Sequence, residues 1–258
     1  FILKELKRYP KVSIITVCLN SEKTLKQTIE SVLSQDYLNI EYIIVDADSK
    51  DNTLKIINSY KDKISFFISE KDNGIYDGMN KGIQNSNGDI VGILNSDDVY
   101  SSKKVISTVV SKMMKFNTAS LYADLVYVKK DNLNQVVRYW KSGFFSISKL
   151  KKGWMLPHPT FFVRKEIYLK YGLYNYKLKK SLDYDMVLRI LYKHNISIFY
   201  LPKIIVKMRV GGTSNKTILN RFIANNEDIL SWKNNLPYVP FFIRLVKPIT
   251  KISQFFKR

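Results

Sequence analysis

The sequence predicts an α/β fold with a mostly parallel sheet flanked by helices. Over the first 100 residues, short runs rich in β-branched residues alternate with segments of helical periodicity, which is the order that parallel βα units produce. Acidic and amide side chains follow the ends of these runs, where open α/β sheets bind their ligands. With 258 residues, 45% of them hydrophobic, the chain can bury a large core.

The first two units repeat one pattern of strand, turn and helix. The β-rich run Val12–Leu19 precedes Ser21, which offers an N-cap for a helix. Apolar residues then recur at helical spacing at Leu25, Ile29, Val32 and Leu33. The second unit has a strand over residues 40–45 and a helix that begins near Asp51 or Asn52, with Asp51 as a cap rather than a ligand.

The next segment predicts a third strand over residues 64–69, a helix after Gly74 and a strand over residues 89–94. That helix carries Ile75, Met79 and Ile83 on one face. The last strand leads to Asp97 and Asp98, two hard oxygen ligands at the carboxyl edge of a sheet. We therefore expect a site for a metal ion and a diphosphate there, and the alternative is a turn with two solvated aspartates.

The charge is unevenly distributed along the chain. Residues 1–100 hold 12 basic and 15 acidic side chains, whereas the remaining residues hold 30 and 7, for a net charge of +20. This asymmetry argues against a nucleic-acid groove along the whole molecule and indicates phosphates, anionic lipid or both as partners of the second part. The single cysteine, Cys18, predicts a core residue and a reducing, cytoplasmic compartment. No apolar stretch reaches the ~20 residues of a membrane-spanning helix.

Four segments in a specific order resemble the family 2 inverting glycosyltransferases of the GT-A type, as found in bacterial polysaccharide, O-antigen and capsule synthesis. They are SIITVCLN at 13–20, VDADSKDNT at 45–53, EKDNGIYDGMNKG at 70–82 and NSDD at 95–98. The resemblance resumes with PHPTFF at 157–162 and DYDMVLR at 183–189, and it fades at GGTS, 211–214. It covers roughly residues 11 to 215.

The resemblance implies a GT-A fold that binds a nucleoside diphosphate sugar with Mn²⁺ or Mg²⁺. Asp98 would be the direct metal ligand, with Asp97 beside it and closer to the ribose or sugar. Asp46 would read the nucleobase, typically uracil, although Ala47 and Asp48 depart from the pattern common in the family. The nucleotide-sugar contacts expected from these segments are Thr16 and Asn20 on the first strand-to-helix loop, with Asp46, Asp48, Asp77, Asn80, Asp97 and His158.

Alternatives stay open for several of these residues. Asn20 could instead be an N-cap, and Asp77 and Asn80 could be ordinary helix-surface residues. His158 could contact the diphosphate or the acceptor. The resemblance makes Asp183 the base that takes the acceptor proton, with Asp185 as the fallback, and Leu182 replaces an acidic residue frequent in the family. The alternative for both aspartates is compensation of the positive end of a helix.

The end of the chain predicts a basic amphipathic tail. We divide the sequence into a GT-A domain at 1–215, with a nucleotide-sugar part (1–100) and an acceptor part (101–215), and a helical tail at 216–258. From Pro240 onward, aromatic and aliphatic residues lie opposite Arg244, Lys247 and Lys251, the pattern of a helix on an anionic membrane surface. The alternative is packing on the catalytic domain or on a second subunit, which leaves a homo-oligomer open.

Together these expectations describe a metal-dependent inverting enzyme at the inner face of the cell membrane. It would transfer one sugar from a UDP-sugar to a glycan acceptor linked to a lipid diphosphate, without a role for nucleic acid. A nucleic-acid-binding module would explain the charge but not the acidic loops. A catalytically silent assembly partner would keep the fold, but the presence of Asp98 and Asp183 argues against it.

Overall fold

The computed structural model describes residues 9–175, 182–211 and 218–236. Four strands form the parallel part of a mixed sheet, in the order β3-β2-β1-β4. They are β1 (Val12–Cys18), β2 (Ile40–Asp46), β3 (Phe66–Ser69) and β4 (Ile90–Ile93), and they are connected by the helices α1 (Leu25–Leu33), α2 (Thr53–Ser59) and α3 (Ile75–Gln84). The predicted α/β class with a mostly parallel sheet is thus confirmed.

The second half of the chain extends the same sheet to the full order β3-β2-β1-β4-β8-β6-β9-β5, with β7 paired to β6. Its strands are β5 (Val99–Tyr100), β6 (Ser120–Lys129), β7 (Asn132–Trp140), β8 (Phe162–Arg164) and β9 (Ile198–Arg209). Its helices are α4 (Val105–Lys115), α5 (Ile147–Lys151), α6 (Lys165–Tyr171), α7 (Leu182–Val187) with a π-helical continuation (Leu188–Lys193), and α8 (Ile218–Asn235). Strand β8 runs antiparallel to both β4 and β6, so it joins the two halves.

The start of α1 differs from the prediction. Helix α1 has Thr24 at its N-cap, because the carbonyl of Ser21 accepts hydrogen bonds from the backbone N–H groups of Thr24 and Leu25 in a preceding turn. The Ser21 hydroxyl pairs instead with Ser96 Oγ at 2.9 Å. At α2 the N-cap is Asn52, one residue after the predicted cap Asp51, whose side chain accepts from the Thr53 N–H at 2.9 Å.

The core has one layer on each face of the sheet, and β1 contributes to both because its side chains alternate. Ile15 and Val17 face one layer, and Ile14 and Cys18 face the other. Helix α3 lies directly on β1, since a Cβ atom at Gly82 would come within 2.4 Å of Ile15 Cγ2. This close approach brings the start of α3 to the edge of the sheet where β1 ends.

Helix α8, which lies in the first part of the predicted tail, packs on α7. Trp232 is fully buried, and its indole N–H donates to Tyr184 Oη at 3.0 Å. The rest of that prediction, including the amphipathic pattern from Pro240 onward, lies outside the described residues. Within the described ranges, no helix is both long enough and apolar enough to cross a bilayer.

Candidate functional site

Polar side chains meet at the edge where the parallel strands end. Cys18 pairs with Asp46 in the register of β1 and β2, and Ile15 pairs with Ile93 in that of β1 and β4. The loops that leave these strands therefore lie side by side. They carry five of the predicted site residues, namely Asn20, Asp46, Asp48, Asp97 and Asp98.

Asp98 is the most unusual of these residues, because its side chain is fully buried without complete hydrogen bonding. Its Oδ2 accepts a hydrogen bond from Asn95 Nδ2 at 2.9 Å, whereas Oδ1 has no partner among the described residues. Burial, followed by the nearby charge of Asp97, raises the pKa of Asp98 well above its usual range. The alternative of two solvated aspartates is therefore wrong for Asp98.

Asp97 is half-buried, and burial raises the pKa of its carboxyl group, while the charge of Arg209 acts in the opposite direction. Arg209 ends β9, is itself buried and donates a hydrogen bond to the backbone carbonyl of Asp97. It also donates to the side-chain oxygen of Gln27 and, at 3.1 Å, to the carbonyl of Lys130. Sequence reasoning missed Arg209, and the signal that could have found it is its position just before the GGTS segment.

The carboxylate pair fits a divalent cation shared with a ligand. In the part of the chain that the structure describes, no group of three or more His, Cys, Asp or Glu side chains could hold a metal ion alone. Mg²⁺ sites that also bind substrate phosphates commonly use only one or two protein carboxylates. The unpartnered Oδ1 of Asp98 next to Asp97 therefore suits a cation whose remaining ligands come from a diphosphate and water.

Asp46 is also fully buried, but its carboxylate is hydrogen-bonded to the loop after β2 and to the end of β3. It accepts hydrogen bonds from the Ser49 N–H at 3.0 Å and from the hydroxyls of Ser49 and Ser69, the latter at 2.7 Å. Asp48 has a left-handed backbone (φ 63°) and pairs with Lys50 Nζ at 2.6 Å. The hydrogen bond from Lys50 lowers the pKa of Asp48. These contacts fix the shape of the loop after β2.

Asn20 links the loop after β1 to the loop after β2. It has φ 49°, its N–H donates to Ser49 Oγ at 2.8 Å, and its side-chain oxygen accepts from the Lys50 N–H at 2.9 Å. It is not an N-cap, so that alternative is wrong. Thr16 was expected on the loop after β1 but lies inside β1. There its buried side-chain hydroxyl accepts a hydrogen bond from Tyr42 Oη at 3.2 Å. A nucleotide contact by Thr16 is therefore not part of our proposal.

The two candidates on α3 have structural partners. Asp77 Oδ2 accepts a hydrogen bond from the Asn73 N–H at 2.9 Å and lies 3.9 Å from Lys81 Nζ. Asn80 is buried rather than on the helix surface, and its amide both donates to and accepts from the backbone of Tyr174, at 2.8 and 2.9 Å. The helix-surface alternative for Asn80 is therefore wrong, whereas a sugar contact by this residue stays a prediction.

A second group of titratable side chains surrounds Asp183. His158 Nε2 shares a hydrogen bond of 2.6 Å with Tyr174 Oη, and the charge of Asp183 acts on both residues. Burial lowers the pKa of His158 although the charge of Asp183 opposes this shift, and the lowered pKa favours the neutral imidazole. The short 3₁₀ turn His158–Thr160 packs against β4, the strand that leads to Asp98. His158 therefore connects the half-buried Asp183 with the strand that leads to the carboxylate pair.

Asp185 faces the core, and its role as the fallback base stays a prediction. Its side chain is 1% exposed, and it accepts a hydrogen bond from Asn235 Nδ2 at 2.8 Å on α8. Its other oxygen pairs with Arg189 at 3.3 Å. Burial raises the pKa of Asp185, and the charge of Arg189 offsets part of that effect. Asp185 thus joins α7 to α8.

Comparisons of the sequence with known proteins identify its family. The profile of Glycosyl transferase family 2 matches residues 13–172. An uncharacterized glycosyltransferase of Mycobacterium tuberculosis is 30% identical, with 70% of this chain and 68% of that protein aligned. The Escherichia coli UDP-Glc:alpha-D-GlcNAc-diphosphoundecaprenol beta-1,3-glucosyltransferase WfgD is 26% identical, with 79% and 78% aligned.

Solved structures share the fold at low sequence identity. Staphylococcus aureus TarS 1–349 in complex with UDP-GlcNAc superposes with a TM-score of 0.71 at 18% identity, over 94% of this chain and 73% of that one. The mannosyltransferase PcManGT of Pyrobaculum calidifontis, in complex with GDP-Man and Mn²⁺, gives 0.66 at 14% identity, over 95% and 69%. The mixed sheet and its flanking helices are therefore those of the GT-A fold.

Proposed function

Since the chain belongs to Glycosyl transferase family 2, we propose that it is a metal-dependent, inverting hexosyltransferase. It transfers a single sugar from a UDP-sugar to a glycan acceptor that is linked to a lipid diphosphate. The proposed setting is bacterial surface polysaccharide synthesis at the cytoplasmic face of the membrane. The donor follows the UDP-GlcNAc complex of TarS, and the donor and acceptor classes follow the name of the E. coli relative.

One observation supports this proposal above all, the buried carboxylate oxygen of Asp98 that lacks a hydrogen-bond partner in the described ranges. A buried, unpartnered carboxylate oxygen costs free energy, and a protein retains such a group where a ligand supplies the missing interaction. Asp98 and Asp97 would hold Mg²⁺ or Mn²⁺. When bound, the cation supplies positive charge that stabilises the diphosphate as it leaves.

The residues of the chain divide the remaining tasks. Asn20, Asp46 and Asp48 shape the nucleoside end of the site, and Asp46 would exchange a serine hydroxyl for the ring N–H of uracil. Asp77 lies at the start of α3 and is retained as a ribose or sugar contact. His158, neutral and bonded to Tyr174, would donate a hydrogen bond to the diphosphate or the acceptor.

Asp183 is the proposed base, because it is the half-buried carboxylate of α7 beside His158. The acceptor hydroxyl oxygen forms a bond to the anomeric carbon as the bond from that carbon to the diphosphate oxygen breaks. The electron pair of the broken bond leaves with the diphosphate, and the hydroxyl proton passes to the Asp183 carboxylate. Attack from the face opposite the leaving group inverts the anomeric configuration.

The first experiment is calorimetry of donor binding across UDP-, GDP-, CDP- and TDP-sugars, with and without Mn²⁺. The test variant is Asp98→Asn, and the matched control is Asp89→Asn, whose carboxylate lies at the other end of β4 and accepts from the Lys11 N–H at 2.9 Å. Mn²⁺-dependent binding of a UDP-sugar that only Asp98→Asn abolishes supports the proposal. Absence of binding across the panel by the folded protein contradicts it. Donor binding without turnover on any acceptor would favour a silent assembly partner.

A further inference from the structure

Four partly exposed aromatic side chains gather around the buried Tyr122 on β6. Tyr200 stacks on the Tyr122 ring with centroids 5.1 Å apart, and the rings of Phe144 and Tyr200 meet edge-to-face at the same distance. The rings of Trp154 and Tyr122 meet edge-to-face at 5.7 Å, and Phe145 lies 5.9 Å from Trp154. Unlike Tyr122, none of the four is fully buried, and Phe144 is 72% exposed. We call Phe144, Phe145, Trp154 and Tyr200 the aromatic platform.

Hydrogen bonds fix two of these rings in place. The Tyr200 hydroxyl donates to Asp124 Oδ1 at 2.9 Å, and the same oxygen accepts from the Ser142 N–H at 2.7 Å. The indole N–H of Trp154 donates to the carbonyl of Ser142 at 2.8 Å. Because these bonds order the rings before a partner arrives, binding to the platform costs little side-chain entropy.

The platform is attached to the turn that carries His158. The carbonyl of Ala123 accepts hydrogen bonds from two hydroxyls, that of Ser142 at 2.9 Å and that of Thr160 at 3.0 Å. Ser142 lies two residues before Phe144, and Thr160 ends the 3₁₀ turn that His158 begins. The two loops therefore meet at one backbone atom of β6.

A second contact attaches the same segment to α7, the helix of the proposed base. The hydroxyl of Tyr184, the residue after Asp183, donates to the carbonyl of Leu150 at 3.4 Å, and Leu150 is fully buried. Leu150 lies on α5, in the segment between two rings of the platform. Both proposed acceptor residues, His158 and Asp183, thus lie on elements that contact the segment forming the platform.

The exposed area of the platform suits a sugar better than a protein. Of its four rings only Phe144 is largely exposed, and one aromatic side chain buries about 150–250 Å². A stable protein interface buries about 800 Å² on each partner. In the edge-to-face pair with Tyr200, at most one face of the Phe144 ring is covered, so the other face is open. An open aromatic face of this size matches one pyranose ring, whose C–H groups pack on it while its hydroxyls stay in water.

We propose that the aromatic platform binds a sugar of the acceptor glycan, one that is distinct from the sugar that receives the transferred residue. This inference rests on the proposed function, since a glycan acceptor beside Asp183 is its premise. Ligand sites combine aromatic surface with a few polar groups that fix the orientation of the ligand. Here the polar groups are the Tyr200 hydroxyl and the Asp124 carboxylate to which it donates. The protein therefore prefers an acceptor of two or more sugars to a monosaccharide.

The test is frontal affinity chromatography on the immobilised full chain in the presence of UDP and Mn²⁺. The probes are soluble oligosaccharides of two to four sugars built from GlcNAc, glucose, galactose, mannose and rhamnose, with the monosaccharides as reference. The variants are Phe144→Ala, which removes the ring, and Phe144→Tyr, which keeps it. The matched control is Leu169→Ala, since Leu169 is 73% exposed on α6, which starts beside Asp89 at the end of β4 opposite the site.

We expect at least one oligosaccharide to bind the wild type at least about tenfold more tightly than its component monosaccharides, because a second sugar covers the open ring. Phe144→Ala should abolish that difference, whereas Phe144→Tyr and Leu169→Ala should retain it. Retention of the difference in Phe144→Ala would overturn the proposal. So would the lack of any oligosaccharide preference in a protein that binds its UDP-sugar.

Two further outcomes separate this inference from its alternatives. Binding to vesicles of phosphatidylcholine with phosphatidylglycerol that depends on Phe144, without oligosaccharide binding, would overturn it in favour of a lipid surface. Absence of UDP-sugar binding in the calorimetric panel would contradict the proposed function, and the inference with it.

Discussion

Replacing Asp98 with asparagine should stabilise the ligand-free protein and at the same time abolish its metal-dependent donor binding. Asparagine keeps the oxygen that accepts from Asn95 and removes the buried negative charge at the unpartnered position. Leaving a buried polar group unsatisfied costs about 1–3 kcal/mol, and more when the group is charged. We expect a gain of about 2 kcal/mol in the free energy of unfolding, or roughly 4–8 °C in Tm for a chain of this size.

The gain in the free energy of unfolding of Asp98→Asn should grow as the pH rises. The pKa of Asp98 is raised in the folded protein, so the native state binds more protons than the unfolded state between the unfolded and the folded pKa. The native protein therefore loses stability as the pH rises through that window. Asparagine does not titrate, so the advantage of the variant should be absent below the unfolded pKa of about 3.9 and should grow as the pH rises above it.

Thermal unfolding of the ligand-free proteins at several pH values, together with calorimetry of UDP-sugar and Mn²⁺ binding, measures both effects. Donor affinity in the presence of Mn²⁺ should fall at least about 100-fold, or about 2.7 kcal/mol. Asp89→Asn should show neither the gain in Tm nor the loss of affinity. An Asp98→Asn variant that is less stable than wild type at neutral pH, or that binds the donor normally, would refute the reasoning. Asp98 would then not be a metal ligand whose unpartnered oxygen destabilises the ligand-free protein.

The remaining predictions concern residues on the other elements of the site. Asp183→Asn should lower kcat by about 10²–10⁴-fold with donor affinity retained, whereas Asp185→Asn on the same helix should change Tm rather than kcat, as steady-state assays would show. Asn80→Ala should lose about 2 kcal/mol of stability with its two hydrogen bonds to Tyr174, and unchanged donor affinity would separate this clamp from a sugar contact. Arg209→Lys keeps the positive charge but loses the guanidinium N–H groups that donate to the carbonyls of Asp97 and Lys130. The affinity for Mn²⁺, measured by electron paramagnetic resonance, should therefore fall about tenfold. An unchanged affinity would exclude a role of Arg209 in positioning Asp97.

The parallel half of the fold could be predicted because each strand there is a run of buried β-branched residues followed by a periodic helix. The other half gave no comparable pattern. Strand β8 has only three residues, and β7 is largely exposed and alternates irregularly. Such strands form because β6 and β9 are already in place beside them, so their pairing depends on distant contacts that local periodicity does not contain.

The site was predictable at the level of residue type and less so at the level of individual roles. The pattern of segments places Asp46, Asn80 and Asp98 near the edge of a sheet. It does not show which of their polar atoms are already hydrogen-bonded to other residues of the chain. The structure shows that Asn80 is bonded to Tyr174 and that Asp46 is bonded to two serines. The run Val12–Leu19 already places Thr16 inside a strand, so its assignment to a loop rests on the family resemblance alone and not on the apolar pattern.

Helical geometry restricts which of the two aspartates of α7 can be the base. Residues two positions apart on an α-helix are separated by about 200°, so Asp183 and Asp185 cannot both face one ligand. Sequence could therefore exclude a shared role, but the choice depends on which side α8 covers. Asn235 and Arg189 cover Asp185, which leaves Asp183 beside His158. Hydrogen-bond partners also separate Asp98 from Asp46. Both carboxylates are buried, but of the two only Asp98 has an oxygen without a partner in the described structure. A cation would supply that missing interaction.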